Sequence, residues 1–204
     1  MKKLLLLLPL LILSCRDATK EVFVNYNQST NEIFKLANYF SSICPHNLSI
    51  YIKFNSRTNI DFALQQKNFF DKSSWVKSAI FDEDGQFFQQ LNKNLSNQKL
   101  VQGLQLIQFN RQKLDSLYLF LKNCHCNSIS NAVTTPLETK SASISLGFPT
   151  NDFYSLDYII FDSDLDSKRI DTLISNCSFK KINNKVFVQY RGPAFGSDCF
   201  PDKR

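Results

Sequence analysis

Residues Leu48 to Leu64 constrain the fold more tightly than any other stretch of the chain. Leu48, Ile50, Ile52 and Phe54 alternate with Ser49, Tyr51 and Lys53, a period of two that marks a half-buried strand. Asn55-Ser56-Arg57 supplies a turn, and Ile60, Phe62 and Leu64 alternate again. Two such segments joined by a short polar turn predict an antiparallel hairpin. A hairpin has one wet face and one dry face, so something else in the chain must cover the dry one.

Helical spacing supplies the cover. Ser29 and Glu32 read as a capping box, followed by Ile33, Leu36, Ala37 and Phe40 on one helical face, with an end at Cys44-Pro45. Asp82-Glu83-Asp84 before Phe88, Leu91 and Leu95 predicts a helix opened by acidic residues. Leu104 to Phe109 reads as a strand. Asn110 caps a helix carrying Leu114, Leu117, Tyr118 and Leu121. Asn127 to Glu138 is rich in Ser, Thr and Asn and lacks periodicity, which predicts a loop or a weak subdomain boundary over 127–140. Trp75 and Phe81 lie in a stretch without a pattern.

The last third alternates at Ala142, Ile144 and Leu146. It then runs almost continuously apolar from Leu156 to Phe161, as a central strand does. Ile170, Leu173, Ile174 and Cys177 make a helical face. Asn183-Asn184 precedes Val186, Val188 and Tyr190 as a hairpin turn. Helices and hairpins mixed in this order predict an α+β fold: one domain, a largely antiparallel sheet, helices packed on one face.

Ahead of all this stands a different kind of segment. Met1-Lys2-Lys3 is basic, and Leu4 to Leu13 is apolar for about ten residues, half of what crosses a bilayer. It has the build of a signal peptide. The residues Ile12, Leu13, Ser14 and Cys15 resemble the lipobox of bacterial lipoproteins: aliphatic, variable, small, cysteine. That resemblance implies lipidation of Cys15 by a diacylglycerol, cleavage before it, and acylation (palmitate-type chains) of the new amino terminus. Each buried methylene then contributes about 0.8 kcal/mol to anchoring. The domain expectation is a signal over 1–14, a lipid-anchored tether over 15–28, and the α+β domain over 29–204. The location implied is the cell envelope, on the extracytoplasmic side of either membrane. A eukaryotic secretory chain is the alternative, with Asn27, Asn47 and Asn94 as glycosylation acceptors.

Export bears on the cysteines. Beyond Cys15 there are Cys44, Cys124, Cys126, Cys177 and Cys199, and exported cysteines tend to pair. An odd number leaves at least one thiol. The expected pairs are Cys44 with Cys124 or Cys126, and Cys177 with Cys199. The rival reading is a metal site, because His46 and His125 both lie beside cysteines, in "CPH" and "CHC". Cys44, His46, Cys124, His125 and Cys126 would then supply soft and borderline ligands. The "CHC" spacing is tighter than structural zinc uses. "DSDLDS" places Asp162, Asp164 and Asp166 as an EF-hand loop begins, but Ser167 and Leu173 replace its glycine and glutamate; the simpler reading is a helix cap.

Other chemistry finds no template. "GPAFG" has Ala194 where a nucleophile elbow needs serine, and phosphate-cradling and zinc-protease motifs are missing from the sequence. No cofactor is called for. The net charge of +6 falls to about +4 once Lys2 and Lys3 leave with the signal, and the remaining basic residues are interleaved with acids, which points away from nucleic acid. Phe69, Phe70, Phe87 and Phe88 are core residues or the lining of an apolar pocket. The functional expectation is a lipid-anchored envelope protein that binds or assembles, its partner being the membrane together with an envelope protein or a small ligand. A metal-binding envelope protein and an envelope enzyme are the alternatives.

Overall fold

The computed structural model describes residues 18–67, 78–82, 84–133, 135–137, 143–150, 154–192 and 199–200. Lipobox residue Cys15, Phe69, Phe70, Trp75, Ala142 and Ala194 lie outside the described residues. The helices are α1 (Ala18–Ile43), α2 (Gln98–Leu106), α3 (Arg111–Asn123) and α4 (Ser167–Ser175). The strands are β1 (Leu48–Phe54), β2 (Asn59–Gln66), β3 (Phe87–Asn94), β4 (Ser128–Ser130), β5 (Ser143–Phe148), β6 (Ser155–Phe161), β7 (Phe179–Lys181) and β8 (Val186–Arg191). They form one sheet ordered β3-β2-β1-β4-β5-β6-β8-β7, every pair antiparallel. The fold is α+β.

The β1–β2 hairpin forms where the alternation placed it, pairing Leu48 with Gln66 and Phe54 with Ile60. Its even-numbered apolar residues are buried. The long helix above them starts earlier than the capping-box reading put it. α1 is 26 residues, about 39 Å long. Ser29 is not its cap but sits inside it, buried, with its hydroxyl donating to Asn25 Oδ1. The tether expected over 15–28 is corrected accordingly: from Ala18 onward the chain is helix, and Val22, Asn25 and Tyr26 extend the buried stripe that continues through Ile33, Leu36 and Phe40. The polar look of 16–28 concealed this because two of the inward positions carry Asn and Tyr.

Those two polar side chains are satisfied inside the core. Asn25 Nδ2 donates to the Cys124 carbonyl at 2.8 Å and to the Tyr158 hydroxyl at 2.9 Å. Tyr158 donates in turn to the Val22 carbonyl at 2.6 Å. Tyr26 accepts from Asn183 in the β7–β8 turn. α1 is thereby fixed to the end of α3, to β6 and to that turn.

Three segments differ from the sequence reading. The helix expected after Asp82 is edge strand β3: Asp82 Oδ1 accepts from the backbone of Gln86 and Phe87 and closes a turn into the strand. Only Phe88 of that strand is buried. The Phe88, Leu91, Leu95 spacing mimicked a helix because an edge strand carries few apolar residues. Leu104 belongs to α2 and not to a strand; Asn97 caps that helix, accepting from Leu100 N. The Ser-rich stretch expected as loop or boundary contains β4, which pairs with both β1 and β5. One sheet therefore runs through both halves of the chain.

β6 shows why its sequence is apolar throughout. Leu156, Tyr158 and Ile160 face the main core under α1 and α3. Ile159 and Phe161 face a second cluster with Leu165, Ile170, Leu173, Phe179 and Phe187. α1, α2 and α3 share one face of the sheet, while α4 covers part of the other. Asp166 caps α4, accepting from Arg169 N, as the helix-cap reading of "DSDLDS" expected.

Replacing Tyr158 by Phe removes one hydroxyl and leaves Asn25 and the Val22 carbonyl each short of a buried partner. A loss of about 1–3 kcal/mol is expected, read as a shifted midpoint in urea denaturation. Tyr158→Phe as stable as the parent would show that α1 does not depend on this network.

Candidate functional site

The cysteines divide by their place in the fold. Cys177 follows the cap of α4 and is disulfide-bonded to Cys199. Phe200 N donates to the Cys177 carbonyl, and its ring packs on Tyr190, so Phe200 is seated in the core. Cys44, Cys124 and Cys126 carry free thiols. The expected bond from Cys44 to Cys124 or Cys126 is not made, and α3 is the reason. Cys44 lies toward Lys113 at the start of that helix, whereas Cys124 caps its end. Eleven helical residues span about 16 Å, and a disulfide tolerates about 7 Å between Cα atoms.

The metal reading fails on the same geometry. His125 takes a left-handed backbone (φ 52°), which turns both flanking thiols inward and leaves the imidazole exposed. His46 is exposed on the α1–β1 turn. Among the described residues no three His, Cys, Asp or Glu side chains gather around a point that could hold an ion. Burial pushes the Cys44 and Cys124 thiols up to about 12 and raises Cys126 as well, so none is a ready thiolate. Neither histidine hydrogen-bonds a Ser, Cys or carboxylate among the described residues, so no nucleophile–base pair forms around them.

The structure brings together a polar row that the sequence did not reveal. On the sheet face away from α1, register aligns Lys53, Ser128, Gly147, Asp157 and Gln189 across five strands. Asp157 is only 2 % exposed and is ion-paired with Arg191, whose side chain is 56 % exposed. Burial raises the Asp157 pKa, and the guanidinium opposes that rise. Gly147 is required here: a Cβ would stand 2.1 Å from Ser128 Oγ and 3.2 Å from Asp157 Oδ1. Tyr51, one rung along, has its hydroxyl pushed up to about 12, first by burial, then by Asp61 and Asp157. Among the described residues no buried side-chain nitrogen or oxygen of the row lacks a hydrogen-bond partner. The signal for it was the run of small residues in β4 and β5, legible only once those strands were known to be neighbours.

Space for a ligand lies elsewhere. A groove of about 630 Å³ opens between the β3–α2 loop, α2 and the start of α3. Leu95, Val101, Leu104, Phe109 and Leu114 form its apolar floor; Asn94, Ser96, Gln105, Gln108, Asn110 and Arg111 line the rest. Its shape depends on the α2–α3 corner, where Gln108 is left-handed (φ 57°) and Asn110 caps α3 through its bond from Lys113 N. Arg111 reaches Asp115 through two nitrogens, at 3.1 and 3.3 Å. Among the described residues no acid, histidine or thiol lines the groove. A second groove, of about 610 Å³, runs beside Phe81, Phe87 and Phe88. Phe88 itself is core, and Phe87 is partly exposed.

No family model matches the chain, and no curated protein and no solved structure matches it.

Three outcomes check these assignments. In a Cys15→Ser chain, Ellman's reagent at pH 8 should find no thiol but the half-buried Cys44 in the folded, unreduced protein and three after unfolding in guanidinium; one would mean a second disulfide. Gly147→Ala should cost about 1–3 kcal/mol by overpacking, and Ser128→Ala in the same chain should restore most of it; no restoration would contradict the contact. Because the folded Asp157 pKa lies above the ordinary 3.8, its favourable contribution is complete below that value and is lost as pH rises through the raised one. The parent should therefore lose stability relative to Asp157→Asn as pH climbs from about 3.8. A pH-independent difference between the two would contradict this.

Proposed function

We propose that the protein is a lipid-anchored cell-envelope protein, held through Cys15 on the extracytoplasmic side, that binds a small amphipathic ligand in the α2–α3 groove. The groove carries this reading. Its volume of about 630 Å³ falls within the range of small-molecule sites, and its floor is apolar with a few amides and one guanidinium at the edge. Such a lining favours an apolar body with a polar or anionic end. Among the described residues its lining holds no acid, histidine or thiol, and its one hydroxyl, Ser96, donates to Asn94 Oδ1 and not to a base, so binding suits it better than catalysis.

The anchor rests on the Ile12-Leu13-Ser14-Cys15 resemblance. No helix among the described residues is long and apolar enough to cross a membrane, so on this reading attachment falls to acyl chains. The Cys177–Cys199 bond accords with an oxidising compartment.

Anilinonaphthalene sulfonate, an apolar anion, is a direct probe of the groove. Val101 is half-buried in the lining, so Val101→Trp fills the groove without rebuilding the core. The substitution should weaken probe binding at least tenfold, about 1.4 kcal/mol. Equal probe affinity in parent and Val101→Trp, both folded by circular dichroism, would remove the groove as the binding site.

A further inference from the structure

We infer that the acylated protein stands on the N-terminal end of α1, with the α3–β4 turn turned toward the bilayer and the α1–β1 turn away from it. The inference rests on the lipid-anchor reading. It adds what that reading leaves open: which surface of the domain meets the lipid.

Chain length comes first. Only residues 16 and 17 separate Cys15 from Ala18, where α1 begins. Three Cα steps reach at most about 11 Å. An anchor at Cys15 therefore brings the start of α1 to within about 11 Å of the anchored residue.

The fold determines which parts of the domain gather near that end. Asn25 holds the Cys124 carbonyl, so the last residues of α3 and the turn after them lie about 10 Å along α1 from its start. The chain from Cys124 then enters β4, with Asn127 bonded to Phe54 and Gly147 at the same end of the sheet. The opposite end holds Ile43, Pro45, His46 and the first residue of β1; Lys67 N donates there to the Asn47 carbonyl. It lies about 38 Å from Ala18 along the helix axis.

The outward face of α1 argues against the domain lying down along it. Lys20, Asn27, Asn31, Lys35, Asn38 and Ser41 are exposed. Val24 is the one large exposed apolar side chain on that helix among the described residues. A helix that rests in a lipid interface presents a continuous apolar face, and this one presents amides, hydroxyls and lysines. With one end held down and the outward face of α1 unsuited to lipid, the upright arrangement is preferred to one lying along that helix.

The test uses the full acylated chain in vesicles of phosphatidylethanolamine and phosphatidylglycerol with acceptor-labelled headgroups. A donor dye is placed at Asn123→Cys or at His46→Cys, both exposed positions, in a Cys44→Ser background; the remaining free thiols are buried. Energy transfer from position 123 should exceed that from position 46 at least twofold. Equal or reversed transfer overturns the orientation. Eight Gly/Ser residues inserted between Arg16 and Asp17 add a flexible reach of about 16 Å and should erase most of the difference; an unchanged difference would show that the short connection does not set it. Fractionation of Cys15→Ser separates this from failure of the anchor. If that variant stays as firmly in the membrane fraction, the lipid reading falls and the orientation falls with it. If it is released while the two dyes report equally, only the orientation falls.

Discussion

The hydrogen-bonded contact of Asn25 with Tyr158 and Cys124 is the constraint on which the rest of the structure depends. It joins three parts of the chain distant in sequence: the first third of α1, the end of α3 and the middle of β6. The groups are buried, so each bond lost would leave a polar atom without water. Apolar packing alone would let a 26-residue helix slide along the sheet by a turn. The amide and hydroxyl admit one register, and that register sets where α1 begins relative to the sheet. The bond to the Cys124 carbonyl places the start of the α3–β4 turn against α1.

The two faces of the sheet do different physical work. Under α1, α2 and α3 the face is a continuous apolar core. On the other face an apolar cluster beneath α4 gives way to the row around Asp157. A carboxylate this buried is tolerated because Arg191 neutralises it and Gly147 leaves room for it. That pairing specifies strand neighbours more than it adds stability: a slip of one residue between β5 and β6 would set Asp157 against a side chain. The groove between α2 and α3 is instead a gap between elements, walled by a helix corner and floored by core residues, which is why it suits a guest and the polar row does not.

How much of the fold was legible in the sequence depends on how local each signal was. The β1–β2 hairpin, the Asn110 cap, the central position of Leu156–Phe161 and the Asn183-Asn184 turn each declare themselves within about ten residues, and each has its counterpart in the fold. The Cys177–Cys199 bond was also within reach, since both residues flank one helix and its returning tail. The early start of α1 was hidden because Asn25 and Tyr26 are polar on paper and buried in fact. β3 was hidden because an edge strand needs only one inward apolar residue. The polar row and the groove were out of reach for a further reason. Lys53, Ser128, Gly147 and Asp157 become neighbours through strand order, and Leu95 meets Leu114 through the α2–α3 corner; neither is written in any local period. The cysteine–histidine pairs misdirected for the converse reason, since adjacency in sequence is undone by one left-handed residue at His125.

Attachment through Cys15, close beside a helix that belongs to the folded domain, is the central claim about how this protein works. Intact mass of protein extracted from membranes, taken before and after reduction, tests it most directly. The expected product is a chain that begins at Cys15, carries a diacylglyceryl group and an amide-linked acyl chain, and gains two hydrogens on reduction of the Cys177–Cys199 disulfide. A chain retaining Met1, or one cleaved near residue 15 without added acyl mass, would contradict it.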